Sequence, residues 1–190
     1  MGILIENEFD VSASPDDTYA LMIDVERVGP CIPGAEIVGR REDGAYDARI
    51  AVKMGPLSMS YKGVAEIIEQ DADARRAVLR AKGTEQKGQG TAQALMTMAV
   101  TPTEVGSHVK VSSDILVTGR IAQMGRGIMI DVAGRMVGEM AKALEATLER
   151  DQAHREAGSD GPPPAAVAAE NPDAIGLVVK SITGKLFKRD

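Results

Sequence analysis

The sequence predicts an α+β domain in which a seven-stranded antiparallel sheet wraps around one long C-terminal helix. Three observations carry this expectation. Period-two alternation of apolar and polar residues dominates the first two-thirds of the chain. Short turn signals separate the alternating segments, so consecutive strands pair antiparallel. A helical period takes over only after Gly119.

Ile3, Ile5, Asn7, Phe9 and Val11 share one face of the first strand, with Leu4, Glu6, Glu8 and Asp10 on the other. Ser14-Pro15-Asp16-Asp17 supplies an N-cap, a first-turn proline and acidic residues for the dipole, so a short helix is expected from Pro15 to Ile23. A second, shorter helix starts at Asp24 and stops before Pro30-Cys31-Ile32-Pro33-Gly34. Ala35 to Arg41 reads as a strand, with Asp43-Gly44 as a hairpin signal. Tyr46, Ala48, Ile50, Val52 and Met54 then share a face, and Gly55-Pro56 turns the chain. Leu57, Met59, Tyr61, Ala65 and Ile67 continue that face on the next strand.

Further strands are expected over Ala74 to Glu85, through Ala92, Ala94, Met96, Met98 and Val100, and over His108 to Thr118. In the last of these Val109, Val111, Ser113, Ile115 and Val117 align. Each strand keeps one wet face, so the sheet is covered on one side only.

The long helix is expected from Ile121 to His154, with Ile121, Met124, Ile128, Val132, Met136, Met140 and Leu144 as its apolar positions. Gly125, Gly127, Gly134 and Gly138 each cost about 1 kcal/mol against alanine, and read as points of close packing or of space for a ligand. Gly158 to Ala169, with Pro162-Pro163-Pro164, reads as a semi-extended linker without a core. The organisation is therefore a domain over 1–155, a linker over 156–170 and a tail over 171–190.

Composition narrows the function. Trp 0, Phe 2 and Tyr 3 stand against Met 10, so flexible thioethers and aliphatics supply the apolar volume. A net charge of -6 with no basic stripe argues against a nucleic-acid partner. Cys31 is the single cysteine; it excludes an internal disulfide, leaves no metal-type spacing and is expected to pack in the interior. Met1 to Asp10 does not read as a leader, and no apolar run approaches the ~20 residues of a span. A cytoplasmic location is expected.

Several segments carry a resemblance. The order of elements resembles the helix-grip architecture of the START-like (SRPBCC) superfamily, whose members commonly hold apolar ligands between sheet and helix. Cys31-Ile32-Pro33-Gly34-Ala35-Glu36, Val52-Lys53-Met54-Gly55-Pro56-Leu57 and Gly119-Arg120-Ile121-Ala122-Gln123-Met124-Gly125 are together similar to motifs of the carbon monoxide dehydrogenase G-subunit family. The resemblance covers about Ile3 to Arg150. It implies an accessory role beside a molybdenum hydroxylase, in membrane recruitment of the enzyme or exchange of its electron acceptor.

Catalysis needs an acid, base or oxyanion donor aimed into the cavity. The inward polar residues are read as Asn7, Tyr46, Tyr61 and Ser113, none charged; His108 and His154 read as exposed, and Asp131 as solvated. No catalytic residue and no metal ligand is assigned. The expected site is an apolar cavity formed by Tyr46, Met54, Met59, Tyr61, Met96, Met98, Met124, Ile128 and Met136, with the tyrosines as hydrogen-bond donors. No cofactor is expected beyond a bound quinone or isoprenoid; the alternative is a core simply filled with methionine.

In the tail, Ile175, Val178, Val179, Ile182 and Leu186 form one helical stripe, surrounded by Lys180, Lys185, Lys188 and Arg189. Burying five aliphatic side chains contributes on the order of 8–10 kcal/mol gross, and each basic residue adds roughly 1 kcal/mol near anionic lipid. Ordering the segment costs about 1–2 kcal/mol per residue, so reversible attachment to the cytoplasmic membrane surface is expected. The alternative is docking on its own domain or on a partner. Function is thus expected to be non-catalytic, with a ligand-free recruitment adaptor or a START-like cyclase or hydrolase as alternatives.

Overall fold

The computed structural model describes residues 2–54, 57–159 and 161–170, the Met54 side chain excepted. The chain runs β1 (Gly2–Val11), α1 (Pro15–Ile23), α2 (Val25–Val28), β2 (Ala35–Arg40), β3 (Tyr46–Met54), β4 (Leu57–Asp71), β5 (Arg76–Glu85), β6 (Thr91–Pro102), β7 (Ser107–Val117) and α3 (Arg126–Glu156). Short 3-10 turns over Gly29–Cys31 and Gly119–Gln123 precede β2 and α3. All strand pairs are antiparallel, in the order β1-β7-β6-β5-β4-β3-β2.

Local chemistry sets the boundaries. Ser14 caps α1, its hydroxyl accepting the Asp17 N–H at 3.2 Å, with Pro15 at the first turn. Asp24 caps α2 in the same way through the Arg27 N–H. Alternation then decides which face of each strand is covered. Ile3, Ile5 and Val11 on β1, with Val109, Val111 and Val117 on β7, are buried, whereas Leu4, Glu6 and Leu116 face outward.

The sheet is curved, and its sequence explains where. Gly63 and Gly83 face each other across β4 and β5. A Cβ on Gly63 would lie 1.8 Å from the Lys82 carbonyl oxygen, so only glycine permits this approach. Register shifts between Ile37 and Gly39 and between Ile67 and Glu69 add bends at one side of the sheet.

The α3 helix lies across the concave face and packs on β1, β3, α1 and the turn before β2. Three apolar clusters result. One joins Ile3, Ile5, Met59, Tyr61, Val117 and Ile121 to Met129 and Val132 of α3. A second sets Val11, Leu21, Val28 and Cys31 against Ala143, Leu144 and Leu148. The third sits under α1, with Tyr19, Met22, Ala77, Met98 and Val100.

One sequence expectation changes here, and one is narrowed. The register along α3 differs because Gly125, at φ 85°, breaks the chain between the 3-10 turn and the helix. The periodicity therefore restarts: Met129 and Val132 face the sheet, and Ile128 lies on the flank with 42% of its surface exposed. Of the two readings of the helix glycines, close packing or space, the second holds, and Gly138 lines a cleft. A Cβ on Gly127 or Gly138 would meet nothing within 4 Å.

The segment read as a linker is held against the domain. The Val167 N–H donates to Thr147 Oγ1 at 2.9 Å, and the Ala169 N–H donates to the Pro30 carbonyl at 3.0 Å. Ala166 and Ala169 pack on the second cluster. This strap follows α3 backwards from its C-terminus to the loop before β2. The tail positions Ile175, Val178, Val179, Lys180, Ile182, Lys185, Leu186, Lys188 and Arg189 lie outside the described residues.

Candidate functional site

The candidate site is the space between the concave face and α3, together with a cleft at its side. Strand register places the inward side chains in rows. Asn7, Val111, Met98 and Ala77 form one row, and Ile5, Ser113, Met96 and Leu79 the next. Ile115, Ala94, Ala81 and Ala65 follow. Met96, Leu79 and these three alanines are only partly buried, so the middle of the concave face is not filled by the helix. Small side chains leave room there; methionines border it.

The expected site residues divide. Met59 and Tyr61 meet in the first cluster, with Met124 and Met136 packed against it. Met98 belongs to the cluster under α1, and Met96 lies on the inward face between the two. Tyr46 is partly buried at the far end of β3, where the Arg40 guanidinium stands 5.7 Å from its ring centre. Met54 ends β3. Ile128 leaves the site for the reason given above, and Met129 takes its place.

The Tyr61 hydroxyl donates to Met59 Sδ at 3.7 Å, a weak bond that leaves its acceptor capacity unused. Burial, and then the nearby Glu85 charge, pushes this phenol above its ordinary range. Glu85 is absent from the inward polar groups expected of the sequence. It pairs with Tyr61 in register and is 4% exposed, so one carboxylate does face inward. The signal is present in the alternation Ala77, Leu79, Ala81, Gly83, Glu85. Its Oε2 accepts the Lys87 N–H at 2.7 Å and the Gln89 N–H at 3.2 Å. The carboxylate therefore closes its own turn, work that competes with service as an acid or base.

The cleft has a volume of about 340 Å³ and lies between α3 and β3. Val52, Val132 and Met136 line it and also belong to the first cluster or pack on it, so its apolar lining is continuous with the core. Pro33 and Ala51 complete its apolar wall, and Lys53, Arg135, Glu139 and Lys142 stand at the rim. Glycine is required beside it: Gly34 has φ 74°, and a Cβ there would sit 2.3 Å from the Ala51 carbonyl oxygen. A second cleft, about 370 Å³, lies between Ser12–Asp17 and the end of α3, but charged side chains line it. The Asp17–Arg155 pair spans it, an ordinary surface ion pair.

Cys31 is fully buried, with Sγ 3.7 Å from the Arg27 carbonyl and from Thr147 Oγ1. Burial raises its thiol pKa, the Thr147 contact partly opposing this, so it packs as expected rather than reacts. Among the described residues no group of three metal-ligating side chains occurs, and no helix is long and apolar enough to cross a membrane.

A curved seven-stranded antiparallel sheet holding a long C-terminal helix defines a START-like helix-grip protein. Solved structures with this fold include a conserved protein from Geobacillus kaustophilus, at TM-score 0.68 and 16% identity, covering 78% of this chain and 97% of that one. The Zhui aromatase/cyclase from Streptomyces sp. R1128 matches at TM-score 0.57 and 14% identity, over 80% and 96% of the two chains. A START superfamily protein from Mycobacterium smegmatis matches at 0.51 and 18%, over 77% and 97%. At such identities the likeness is one of fold alone. The sequence is more specific: the chain belongs to the carbon monoxide dehydrogenase G-subunit (CoxG) family, whose model matches residues 8–149. No curated protein matches it.

Proposed function

We propose that this protein is a non-catalytic accessory component of a molybdenum hydroxylase of the carbon monoxide dehydrogenase type. It holds an apolar small molecule, a quinone in the first instance, between sheet and helix, and its tail attaches it to the cytoplasmic membrane surface. The observation that carries the reading is the concave face itself, where Ala65, Ala81, Ala94 and Met96 remain partly uncovered, together with a cleft open to solvent between α3 and β3. Methionine adapts to long flexible ligands. The family supplies the partner class, and the engagement of Glu85 by its own turn supports a binding role over a hydrolytic one.

Native mass spectrometry of the full chain with a short-tailed benzoquinone is the test. A one-to-one adduct is expected, displaced by longer-tailed quinones. A chain that stays free of quinone up to the solubility limit overturns the carrier role and leaves a recruitment adaptor. The tail is tested separately, by comparing the full chain with a truncation after Glu170 for sedimentation with phosphatidylglycerol vesicles. Equal pelleting of the two removes the tail from membrane attachment.

A further inference from the structure

Asn7 and Ser113 are diagonal neighbours on the concave face: β1 and β7 pair Asn7 with Val111 and Ile5 with Ser113. Such neighbours have their Cα atoms about 7–8 Å apart, within reach of one small ring. Ser113 is 9% exposed. Neither its hydroxyl nor the Asn7 amide hydrogen-bonds any described residue, a combination that buried polar groups ordinarily avoid. Yet among the described residues every fully enclosed polar side-chain atom has a partner. The Ser113 hydroxyl is therefore not packed into protein but faces the space under α3.

The surroundings are apolar and adaptable. Ser113 pairs with Met96, and Val111 with Met98, so both methionines lie beside the polar pair. Gly134 of α3 passes over Asn7, with a Cβ position 3.9 Å from Asn7 Oδ1. A hydroxyl and a carboxamide together offer donors and acceptors on a stretch of the concave face that is otherwise aliphatic and thioether.

We infer that Asn7 and Ser113 form the polar anchor of the internal site, hydrogen-bonding a ring carbonyl or hydroxyl of an otherwise apolar ligand, with Met96 and Met98 against the ring. This rests on the ligand-carrier reading above and moves the hydrogen-bonding role from Tyr46 and Tyr61 to the β1–β7 side of the sheet. Of the two tyrosines, Tyr61 already spends its proton on Met59, and Tyr46 lies at the opposite edge under Arg40.

The test compares two probes of equal reach, a decyl-substituted benzoquinone and decylbenzene, titrated into the full chain and into Ser113→Ala, Asn7→Leu and the double variant. Benzoquinone affinity is expected to fall about fivefold to tenfold for each single change, the loss of one net hydrogen bond. Decylbenzene affinity is expected to stay within about twofold. Binding of both probes with no discrimination by the variants overturns the anchor while the carrier reading stands. Binding of neither probe by the parent chain overturns both. Thermal unfolding gives an independent readout, since removing an unpaired hydroxyl should leave the Tm of Ser113→Ala at or above the parent's. A Tm lower by many degrees would mean that the hydroxyl is bonded within the fold, and the anchor fails.

Discussion

Both carboxylate oxygens of Asp151 lie 2.8 Å from Nη2 of Arg27, tying α2 to the last turns of α3 across the cluster that buries Cys31. The two sides of this pair differ in burial, 8% exposure for the Asp151 side chain against 23% for Arg27. Removing Arg27 strands a carboxylate in the interior, whereas removing Asp151 leaves a guanidinium that water can still reach. Arg27→Ala is expected to cost about 2–4 kcal/mol and Asp151→Ala roughly half as much. Urea unfolding of both variants checks this, and equal costs would contradict the asymmetry.

Glycine at two positions should respond in opposite ways. Gly63→Ala forces a Cβ against the Lys82 carbonyl in the middle of the sheet and is expected to lose more than about 3 kcal/mol or to fail to fold. Gly138→Ala meets open space on α3 and should gain about 0.5–1 kcal/mol of helix propensity. Thermal melts of the two proteins decide it; a neutral Gly63→Ala would show that the sheet relaxes there.

Thr147 Oγ1 lies 2.7 Å from the Ala143 carbonyl, which accepts its proton, and it accepts the Val167 N–H from the strap. Thr147→Val keeps the shape and removes both bonds together with the weak Cys31 Sγ contact. Hydrogen exchange should quicken at Val167 and Ala169 while the β-sheet amides stay protected, with a global cost of about 1 kcal/mol. Unchanged exchange at Val167 would mean that packing by Ala166 and Ala169 alone fastens the strap.

Alkaline pH should weaken the fold. Burial raises Cys31, Tyr19 and Tyr61 above their ordinary values, with the Asp71 and Glu85 charges adding to the effect on the tyrosines. The unfolded chain thus releases these protons first. Stability from these groups is complete below the unfolded values of about 9–10 and is lost as pH rises through the higher folded ones. Tyr61→Phe should flatten part of this decline in denaturant titrations between neutral and strongly alkaline pH. An unaltered slope would place the Tyr61 ring in contact with solvent.

Alternation makes the sheet legible, because a period of two fixes which side chains share a face; Met59, Tyr61, Met96 and Ser113 are assigned inward on that basis alone and lie there. Ser14 and Pro15 likewise mark where α1 begins. The helix is less legible. A period read through Gly125 joins two segments of different geometry, and this carries Ile128 into the site ahead of Met129. Composition misleads at the strap, since Pro162 to Ala169 has no periodic pattern and its attachment depends on backbone N–H groups that sequence does not distinguish. Which inward polar groups lack partners is likewise set by three-dimensional neighbours. Glu85 and Ser113 look alike in alternation, yet one is satisfied by its own turn and the other is not.

The strap also alters the geometry of attachment. Its last pinned residue, Ala169, sits at Pro30, and the Lys142 amine, raised chiefly by its hydrogen bond to Glu139, also feels the Glu170 charge. Without the strap, whatever follows α3 would be hitched to the molecule at residue 157. With it the last fixed point is Ala169, beside Pro30 in the loop before β2. The strap thus carries the point at which the chain leaves the domain from the end of α3 to the loop before β2.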